Sequence, residues 1–294
     1  MEKCKKKERT IRIFKIAVST VVIFGILLFF AVKLFDNSNI ELTFYEIKSD
    51  SVSSNIRVVQ LTDLHMREFG QNNADLVSQV NALSPDVIAI TGDMSNDNDT
   101  NYDVVINLCK KLVDIAPVYY SLGNNEYDMY LFDKSKIISD IEATGVTVLH
   151  NDKKEITVND NKIQIVGLSE SNPSLRDDYG NGMTRKQKFL NDIGDYDGFR
   201  LLLSHRPELF LESGAMYDFK ADLVLSGHTH GGLIRIPFVG GLYAPDQGLF
   251  PDIVEGLYVF KNNKVIVCRG LGNSEFVPRI NNQPEIAVVD INWY

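Results

Sequence analysis

One group of side chains that can bind a metal ion follows short apolar runs, where β-strands are expected to end. Four of the five histidines belong to this group, with carboxylates and one amide; its members are Asp63, His65, Asp93, Asn124, His205, His228 and His230. Imidazole and carboxylate groups together suit borderline divalent metals such as Mn, Fe and Zn. Two such ions about 3.5–4 Å apart can clamp both oxygens of an in-line displacement at phosphorus. The group therefore predicts a two-metal site that acts on phosphate esters.

The spacing within the group indicates which side chains share an ion. Residues i and i+2 of a strand lie on the same side, so we expect Asp63 with His65, and His228 with His230, each to converge on one ion. Asp93 follows Gly92, where the missing side chain permits a tight turn, and is a candidate bridging carboxylate. Ligands of open α/β sheets bind at the carboxyl ends of the strands, which places the whole group at one edge.

Each of these residues has a plainer interpretation when it is taken singly. An Asp or Asn after a strand is usually a turn residue or a helix cap, and this alternative stays open for Asn124 and Asn125. His150 matches no ligand position and is expected at the surface or in a turn. Arg269 and Arg279 could bind phosphate or form surface ion pairs. The shared location of the ordered group favours the metal site.

Short apolar runs alternate with amphipathic ones, and these elements must position the group. The predicted strands are residues 56–62, 87–91, 118–122, 162–167, 201–205, 223–226, 256–260, 264–268 and 286–291. The predicted helices are residues 73–83, 102–115, 134–144, 184–193 and 207–214. Runs such as VIAI and LVL are typical of strands buried on both faces, so helices should cover the sheets. The pattern predicts an α/β sandwich in one domain. The polar segment 169–185 is a surface loop or the border of a substrate cleft.

The motifs D-x-H, G-D, G-N-x-E, H and G-H-x-H occur in this order. The set resembles the calcineurin-like metallophosphoesterase superfamily over residues 56–291. The stretches GHTHGG, RIPFVGGLYAPDQGLF and RGLGNSEFVPRINNQPEI are similar to its membrane-associated bacterial branch. The resemblance implies a sandwich of two β-sheets flanked by helices, with two divalent metal ions as cofactors.

The resemblance also implies a role for each motif residue. Asp63, His65 and His230 would hold the first metal. The second would be held by Asn124, His205 and His228, with Asp93 as the bridge between the two metals. A hydroxide held between the metals would attack phosphorus.

One residue departs from the family pattern. The family usually has G-N-H-[DE], and its His helps to protonate the leaving oxygen, whereas this chain has Asn125 at that catalytic position. Asn cannot deliver a proton, and general acid catalysis is typically worth ~10²–10⁴-fold. A substrate with a leaving group of low pKa would need the acid least. Two functions therefore remain: a phosphodiesterase or pyrophosphatase, and a catalytically weak or silent module that binds metal and phosphate.

Composition excludes several other classes of protein. The chain has 294 residues, of which 44% are hydrophobic and 23% charged, which is ordinary for a globular protein and not for a disordered or fibrous one. The formal net charge of −9 argues against a general nucleic-acid binder, and we expect no nucleic-acid partner. Residues 1–35 carry eight basic and two acidic side chains, a net +6, which leaves −15 on the rest. The two parts need separate explanations.

The basic N-terminal part precedes a run of 17 uncharged residues, 16–32. With apolar flanks this run predicts a transmembrane helix, 16–35, after a basic cytoplasmic segment, 1–15. A linker, 36–55, and a metallophosphoesterase domain, 56–294, would follow. The positive-inside rule places the N-terminus in the cytoplasm and the domain outside the cell membrane. The alternatives are a cleaved signal peptide, although no A-x-A site follows the run, and a buried helix.

The anchor and the family branch together indicate the partners. We expect a phosphorylated small-molecule or lipid-linked substrate, derived from the envelope or held in the membrane beside the domain. Cys109 and Cys268 lie in apolar patterns typical of buried thiols, and a disulfide between them stays open. The sequence gives no indication of the oligomeric state.

Overall fold

Two six-stranded β-sheets packed face to face carry the fold, with helices on their outer faces. The structure is a computed structural model that describes residues 15, 18–25, 37–132, 136–169, 178–179, 183–211, 219–260, 263–273 and 278–294. The predicted sandwich of two sheets flanked by helices is confirmed.

The first sheet has the strand order β1-β18-β2-β3-β4-β5. Its strands are β1 (Glu41–Lys48), β2 (Ile56–Leu61), β3 (Val87–Ile90), β4 (Val118–Tyr120), β5 (Thr147–Val148) and β18 (Glu285–Asn292). Strands β2 to β5 pair in parallel. β18 pairs antiparallel with β2 and parallel with β1. The amino ends of β18 and β1 therefore lie at the same edge as the carboxyl ends of β2, β3 and β4.

The second sheet has the strand order β16-β17-β11-β10-β7-β6. Its strands are β6 (Asp152–Val158), β7 (Asn161–Leu168), β10 (Phe199–Ser204), β11 (Leu223–Ser226), β16 (Gly256–Phe260) and β17 (Asn263–Val267). β7, β10, β11 and β17 pair in parallel, and β6 and β16 are antiparallel strands at the two ends. The central strands of this sheet are buried on both faces, as their continuous apolar sequences predict.

Helices and short hairpins complete the architecture. The helices are α1 (Ala74–Ala82), α2 (Asp103–Leu112), α3 (Asn124–Phe132), α4 (Ile137–Glu142), α5 (Arg185–Asp192) and α6 (Glu208–Leu211), with 3-10 turns at Gln71–Asn73 and His230–Gly232. The hairpins pair β8 (Asp178–Tyr179) with β9 (Met183–Thr184), β12 (Arg235–Ile236) with β13 (Gly240–Gly241), and β14 (Tyr243–Ala244) with β15 (Gly248–Leu249).

Three apolar layers hold these elements together, and β18 illustrates how the strand period builds them. Ile286 and Val288 pack in the layer under α1, α2 and α4, whereas Ala287 and Val289 pack between the two sheets. The third layer lies between the second sheet and helices α5 and α6. Because successive side chains of a strand point to opposite faces, a central strand needs apolar residues at every position.

The segment predicted as a linker, residues 36–55, contains a strand. β1 occupies residues 41–48 and pairs along its whole length with β18, from Glu41 opposite Glu285 to Lys48 opposite Asn292. The folded part therefore begins before residue 56. β1 is an edge strand, and its mixed polar sequence, ELTFYEIK, resembles that of a linker more than that of a buried strand.

The predicted transmembrane segment lies mostly outside the described residues, as do residues 1–14 of the basic segment. Within residues 16–35, the structure describes 18–25, which are helical. Among the helices of the described residues, none combines the length and the apolar character that a membrane crossing requires. Most of the polar segment 169–185 and part of the predicted helices 134–144 and 207–214 also lie outside the described residues.

The two described cysteines are buried free thiols. Cys109 packs in the layer under the helices of the first sheet, and Cys268 packs between the two sheets. They are thus on opposite faces of the first sheet, and no disulfide joins them. Burial raises the pKa of both thiols.

Candidate metal centre

The carboxyl ends of five strands from both sheets converge at one edge of the sandwich, which we call the site edge. Every predicted ligand lies there: Asp63 and His65 after β2, Asp93 after β3, Asn124 after β4, His205 after β10, and His228 and His230 after β11. The two sheets are joined at this edge by hydrogen bonds, such as the one that the Gln60 side chain donates to the Ser226 carbonyl at 2.9 Å. The sheet architecture thus brings together residues that are far apart in sequence.

Two adjoining groups of side chains have the geometry of a metal site. The first is Asp63, His65 and His230, and the second is Asp93, His205 and His228. In the first group Asp63 Oδ1 lies 3.9 Å from His65 Nε2 and 3.7 Å from His230 Nε2. In the second group His205 Nε2 lies 3.2 Å from Asp93 Oδ2 and 3.2 Å from His228 Nδ1.

Asp63 lies where the two groups meet. Its Oδ1 is 3.9 Å from His205 Nε2 of the second group, and its carboxylate accepts the backbone N–H of His228 at 3.1 Å. His228 and His230 belong to different groups, so the expectation that this pair converges on one ion is wrong. The physical reason is the backbone: both residues have positive φ, at 69° and 49°, and the alternation of an extended strand does not continue through them.

Positive φ angles are concentrated at this site. Asp63 (51°), His65 (47°) and Asp93 (51°) also have left-handed backbone conformations. Such a conformation costs an L-residue on the order of 1 kcal/mol or more, and it persists only where the surrounding structure enforces it. The fold therefore holds five of the seven predicted ligands in strained turns, which is typical of a functional site.

Glycines make the close approach of these turns possible. A Cβ atom on Gly123 would lie 2.1 Å from Asp93 Oδ1, and one on Gly227 would lie 2.3 Å from Asp63 Oδ2. Both contacts are far shorter than van der Waals distance. A side chain at either position would displace a carboxylate of the site.

Three imidazoles are oriented so that one ring nitrogen faces the site. His205 Nδ1 lies 2.8 Å from the Thr91 carbonyl, and His65 Nδ1 lies 3.0 Å from Asn96 Oδ1. His228 Nε2 lies 2.8 Å from Asp246 Oδ2. Each of these oxygens accepts the outward N–H, which leaves a lone pair on the other nitrogen for a cation. Asp246 thus orients an imidazole.

Two buried ligand atoms provide an independent test of whether a metal fits. His65 Nε2 and Asn124 Oδ1 are buried and make no hydrogen bond within the part of the chain that the structure describes. A buried polar atom without a partner is costly, about 1–3 kcal/mol. A divalent cation beside each of these atoms would satisfy it. The residues present therefore fit two metal ions.

The charges of the site are consistent with that fit. Burial alone would lower the pKa of His205, but the carboxylates of Asp93 and Asp63 raise it to about 10. Burial alone would raise the pKa of Asp93, yet His205 holds it well below its ordinary value. Burial and the neighbouring His65 lower the pKa of His230, which keeps it in the neutral form that binds metals. Without metal, a proton on His205 neutralises part of the carboxylate charge.

Asn125, which stands at the family's catalytic position, is engaged within the protein. Its side-chain amide donates to the Ser95 carbonyl at 3.0 Å, and its Oδ1 accepts from Asn124 Nδ2 at 2.9 Å. Its backbone N–H donates to Asp93 Oδ1 at 3.0 Å. Asn125 therefore orients the Asn124 amide, whose Oδ1 is left free for the site. Asn124 and Asn125 begin α3, and their contacts with the site go beyond those of ordinary turn residues.

Glu126, in the first turn of α3, supports the backbone of the site. It does not orient an imidazole; its buried carboxylate accepts the backbone N–H groups of Asp93 (2.8 Å), Ser95 (2.9 Å) and Gly123 (3.1 Å). This one side chain thus ties the turn after β3 to the turn after β4. Glu126 holds the backbone that carries Asp93.

Arg269 and Arg279 are both buried, so neither forms a surface ion pair. Arg279 donates to the carbonyls of Gly272 (2.7 Å) and Arg269 (2.6 Å), and its Nη2 lies 3.4 Å from His230 Nδ1. Burial lowers the pKa of Arg279 to about 10. Arg269 pairs with Glu41 at 2.8 Å and with Glu285 at 3.3 Å. Arg269 and Arg279 bind the chain around the site rather than project into it.

Some residues of the site gave little or no signal in the sequence. Asn96, which orients His65, lies in a polar turn without a pattern. Arg206 pairs with Asp246 at 3.0 Å, and its only signal is that it follows His205. His150 lies outside both groups and is half-buried, with its ring 5.6 Å from Tyr127 and 5.2 Å from Tyr130.

The fold and the site define a hydrolase of the two-metal class, and comparison with known proteins supplies the family. The family model for calcineurin-like phosphoesterases matches residues 56–232, more than half of the chain. The chain therefore belongs to the calcineurin-like phosphoesterase family. It is a metal-dependent phosphoester hydrolase, in a family that depends on two metals.

Individual relatives agree with this assignment. The metallophosphoesterase YkuE of Bacillus subtilis is 30% identical over 260 residues, which cover 85% of this chain and 84% of the relative. The phosphodiesterase YaeI of Escherichia coli is 27% identical over 240 residues, which cover 80% of this chain and 82% of the relative. A solved 5'-nucleotidase precursor from Thermus thermophilus has a TM-score of 0.46 and 13% identity, covering 81% and 54% of the two chains. That last likeness is too low to support a functional argument.

Proposed function

We propose that the chain is a membrane-anchored phosphodiesterase or pyrophosphatase that uses two divalent ions, Mn, Fe or Zn, at the site edge. The observation that carries the proposal is the orientation of the imidazoles. His65, His205 and His228 each direct one ring nitrogen into the site while an oxygen of the protein holds the other. Together with two buried carboxylates, this donor set suits two borderline cations and little else.

The protein residues have distinct tasks in this proposal. Asp63, His65 and His230 would hold one ion, Asn124, His205 and His228 would hold the other, and Asp93 would be the bridging carboxylate. When bound, the two ions supply an activated water as nucleophile and neutralise charge that develops on the phosphoryl oxygens. Glu126 and Asn125 fix the turns after β3 and β4, so that Asp93 and Asn124 keep their positions. Most of these ligands are buried from bulk water, namely Asp63, Asp93, His205, His228 and His230.

The class of substrate follows from Asn125. An amide cannot give a proton to the leaving oxygen, and the Asn125 amide is already committed to Ser95 and Asn124. A diester or pyrophosphate whose leaving group has a low pKa departs without such help. We therefore propose a nucleotide-like or pyrophosphate leaving group. A lipid-linked or envelope-derived substrate is consistent with a domain that is held at the outer face of the cell membrane by residues 16–35.

The test uses the full chain, purified in detergent and supplied with Mn²⁺. Metal content is measured by mass spectrometry, and hydrolysis is measured with bis-nitrophenyl phosphate, which has a good leaving group. The expected result is two ions per chain and turnover; His205→Gln should lose metal and turnover together. His150→Gln is the matched control, because this histidine lies outside both groups, and it should keep both properties. Stoichiometric metal in the His205→Gln protein would contradict the proposal.

The second candidate function is a silent module that binds metal and phosphate, and Asn125 favours it. Asn125→His distinguishes the two candidates. If the wild type binds two ions without turnover and Asn125→His is active, the silent module is supported. If the wild type is already active on the nitrophenyl diester, and Asn125→His adds activity mainly on esters with poor leaving groups, the phosphodiesterase is supported.

A further inference from the structure

The residues that follow the metal site form an unusually apolar excursion from the fold, residues 234–250. Two short hairpins build it, β12 with β13 and β14 with β15. Six large apolar side chains are exposed within it: Ile236, Phe238, Val239, Tyr243, Leu249 and Phe250. Phe238 is fully exposed at a turn, and Tyr243 and Leu249 are paired across a hairpin, so they lie on the same face. Contiguous exposed apolar groups of this kind mark an interaction surface.

The excursion carries no uncompensated charge. Its two charged residues are Arg235 and Asp246. Arg235 pairs with Glu255, and Asp246 pairs with Arg206 at 3.0 Å and with His228 at 2.8 Å. The Gln247 amide is tied to Glu208 at 2.7 Å and to the Ile253 carbonyl at 2.8 Å. An apolar medium around the exposed side chains would therefore not have to desolvate a lone charge.

The base of the excursion is part of the candidate metal centre. It leaves the fold directly after the 3-10 turn His230–Gly232, and Asp246 orients His228. The β14–β15 hairpin is held down by the Phe250 N–H, which donates to the Leu242 carbonyl at 2.8 Å. The excursion is thus connected to the metal ligands in two ways, along the chain and through the contact of Asp246 with His228.

The chain joins the domain at this same edge. Asn37 donates to the Arg279 carbonyl at 3.1 Å, and the guanidinium of Arg279 lies 3.4 Å from His230. The predicted transmembrane segment ends at residue 35, and two residues span at most ~7 Å. β1 then runs away from the edge, with Leu42 and Phe44 exposed along it. A bilayer that held residues 16–35 would lie next to the metal ligands.

We propose that the site edge faces the bilayer and that the apolar excursion 234–250 lies in the lipid interface. Its occupant would be the headgroup and upper acyl region of phospholipids, which amphipathic and aromatic side chains favour. This inference rests on the anchor in the proposed function and deepens it. A membrane-facing site would take phosphodiesters from the lipid surface instead of from bulk solution.

The opposite end of the molecule supplies an internal reference. The single tryptophan, Trp293, follows the carboxyl end of β18, where Ile291 pairs with Ile56 at the beginning of β2. Trp293 is exposed, as Phe238 is, but it lies at the edge opposite to the metal ligands. The two positions therefore report on the two edges of one sandwich.

The experiment places the full chain in vesicles of phosphatidylcholine and phosphatidylglycerol whose acyl chains are brominated near the headgroup. One protein keeps Trp293, and the other carries Phe238→Trp with Trp293→Phe. The expected result is a blue-shifted emission and strong quenching by bromine for the Phe238→Trp protein, with little quenching of Trp293. Equal quenching at the two positions would overturn the inference. Shielding of position 238 from acrylamide without bromine quenching would also overturn it, because a protein partner or a second copy would then cover the excursion.

A double variant, Phe238→Ser with Leu249→Ser, provides a functional readout. We expect hydrolysis of a nitrophenyl phosphodiester of diacylglycerol in vesicles to fall several-fold, and hydrolysis of soluble bis-nitrophenyl phosphate to stay unchanged. An equal fall on both substrates would contradict a role at the lipid surface. Failure of the chain to float with the vesicles would defeat the anchor and this inference together. Absence of all hydrolysis, with bromine quenching intact, would defeat only the proposed activity.

Discussion

The two edges of the sandwich satisfy their polar groups in different ways. At the site edge, one imidazole atom and one amide atom are buried without hydrogen-bond partners, and several of the ligands lie on backbone held at positive φ. At the opposite edge, polar side chains are paired. Arg57 forms a two-point ion pair with Asp290, at 2.7 Å and 3.0 Å, and buried Arg200 donates to Gln164, Lys220 and Gly194.

This difference separates stability from function. A satisfied polar group contributes to the free energy of unfolding, whereas an unsatisfied one stores free energy that a ligand can recover. Substitutions at the opposite edge should therefore lower stability and leave metal binding alone. Substitutions of ligands at the site edge should instead weaken metal binding and leave the free energy of unfolding of the metal-free protein nearly unchanged.

The largest expected effect is that of Asp93→Asn. Loss of the bridging charge should lower turnover of bis-nitrophenyl phosphate by about 10²-fold or more, because the metals supply several kcal/mol of stabilisation. Chemical denaturation of the metal-free variant should give a free energy of unfolding within about 1 kcal/mol of the wild type, since His205 can lose its proton when the carboxylate is gone. Retained turnover would show that Asp93 is not the bridge, and Asp63, which lies where the two groups meet, would be the next candidate.

The second largest expected effect is the stabilisation of the wild type by added metal. At 100 times the dissociation constant, a bound ion raises the free energy of unfolding by about 2.7 kcal/mol. Thermal unfolding with Mn²⁺ and with a chelator should show this rise for the wild type and for Arg200→Leu, and not for Asp93→Asn. A rise of equal size in all three proteins would mean that the ion binds elsewhere.

Arg200→Leu addresses the opposite edge. The substitution removes three side-chain hydrogen bonds of a buried guanidinium and leaves two carbonyls without a donor, so we expect a loss of about 2 kcal/mol in the free energy of unfolding. Turnover and metal content of the folded protein should not change. If turnover per bound metal fell as well, the two edges would be coupled and the contrast between them would fail.

Asp246→Asn should have the smallest effect, on metal affinity alone. Asn can still accept the N–H of His228 but lacks the charge that makes the imidazole a better ligand, so Mn²⁺ affinity should fall about tenfold. Competition with a chelating dye would measure it. Asp290→Asn, at the opposite edge, is the matched control and should leave the affinity unchanged.

The central strands and the ligand set could be predicted because each depends on local sequence. VIAI and LVL are strands buried on both faces, and the structure contains them as β3 and within β11. The ligands follow strands, so their common location followed from the rule that parallel strands end at one edge. The resemblance sorted them into two groups that match the observed geometry for Asp63, His65 and His230, and for His205 with His228.

Two edge strands, β1 and β6, and the helix α3 were not predicted, and the reasons are physical. β1 and β6 lie at the ends of the two sheets, where one side of the strand meets solvent, so sequences such as DKKEITV lack an apolar run. α3, NNEYDMYLF, has no single apolar stripe. The expectation that His228 and His230 share one ion assumed the alternating side chains of an extended strand. That alternation does not hold here, because both residues have left-handed backbone conformations.

The Glu126 carboxylate has a consequence for hydrogen exchange. The amides of Asp93, Ser95 and Gly123 belong to turns and not to a strand or helix, yet each donates to this one fully buried side chain. Amide protons of turns ordinarily exchange with solvent deuterium quickly. These three should exchange as slowly as the neighbouring strands, and Glu126→Gln, which offers one acceptor oxygen in place of two, should release them first.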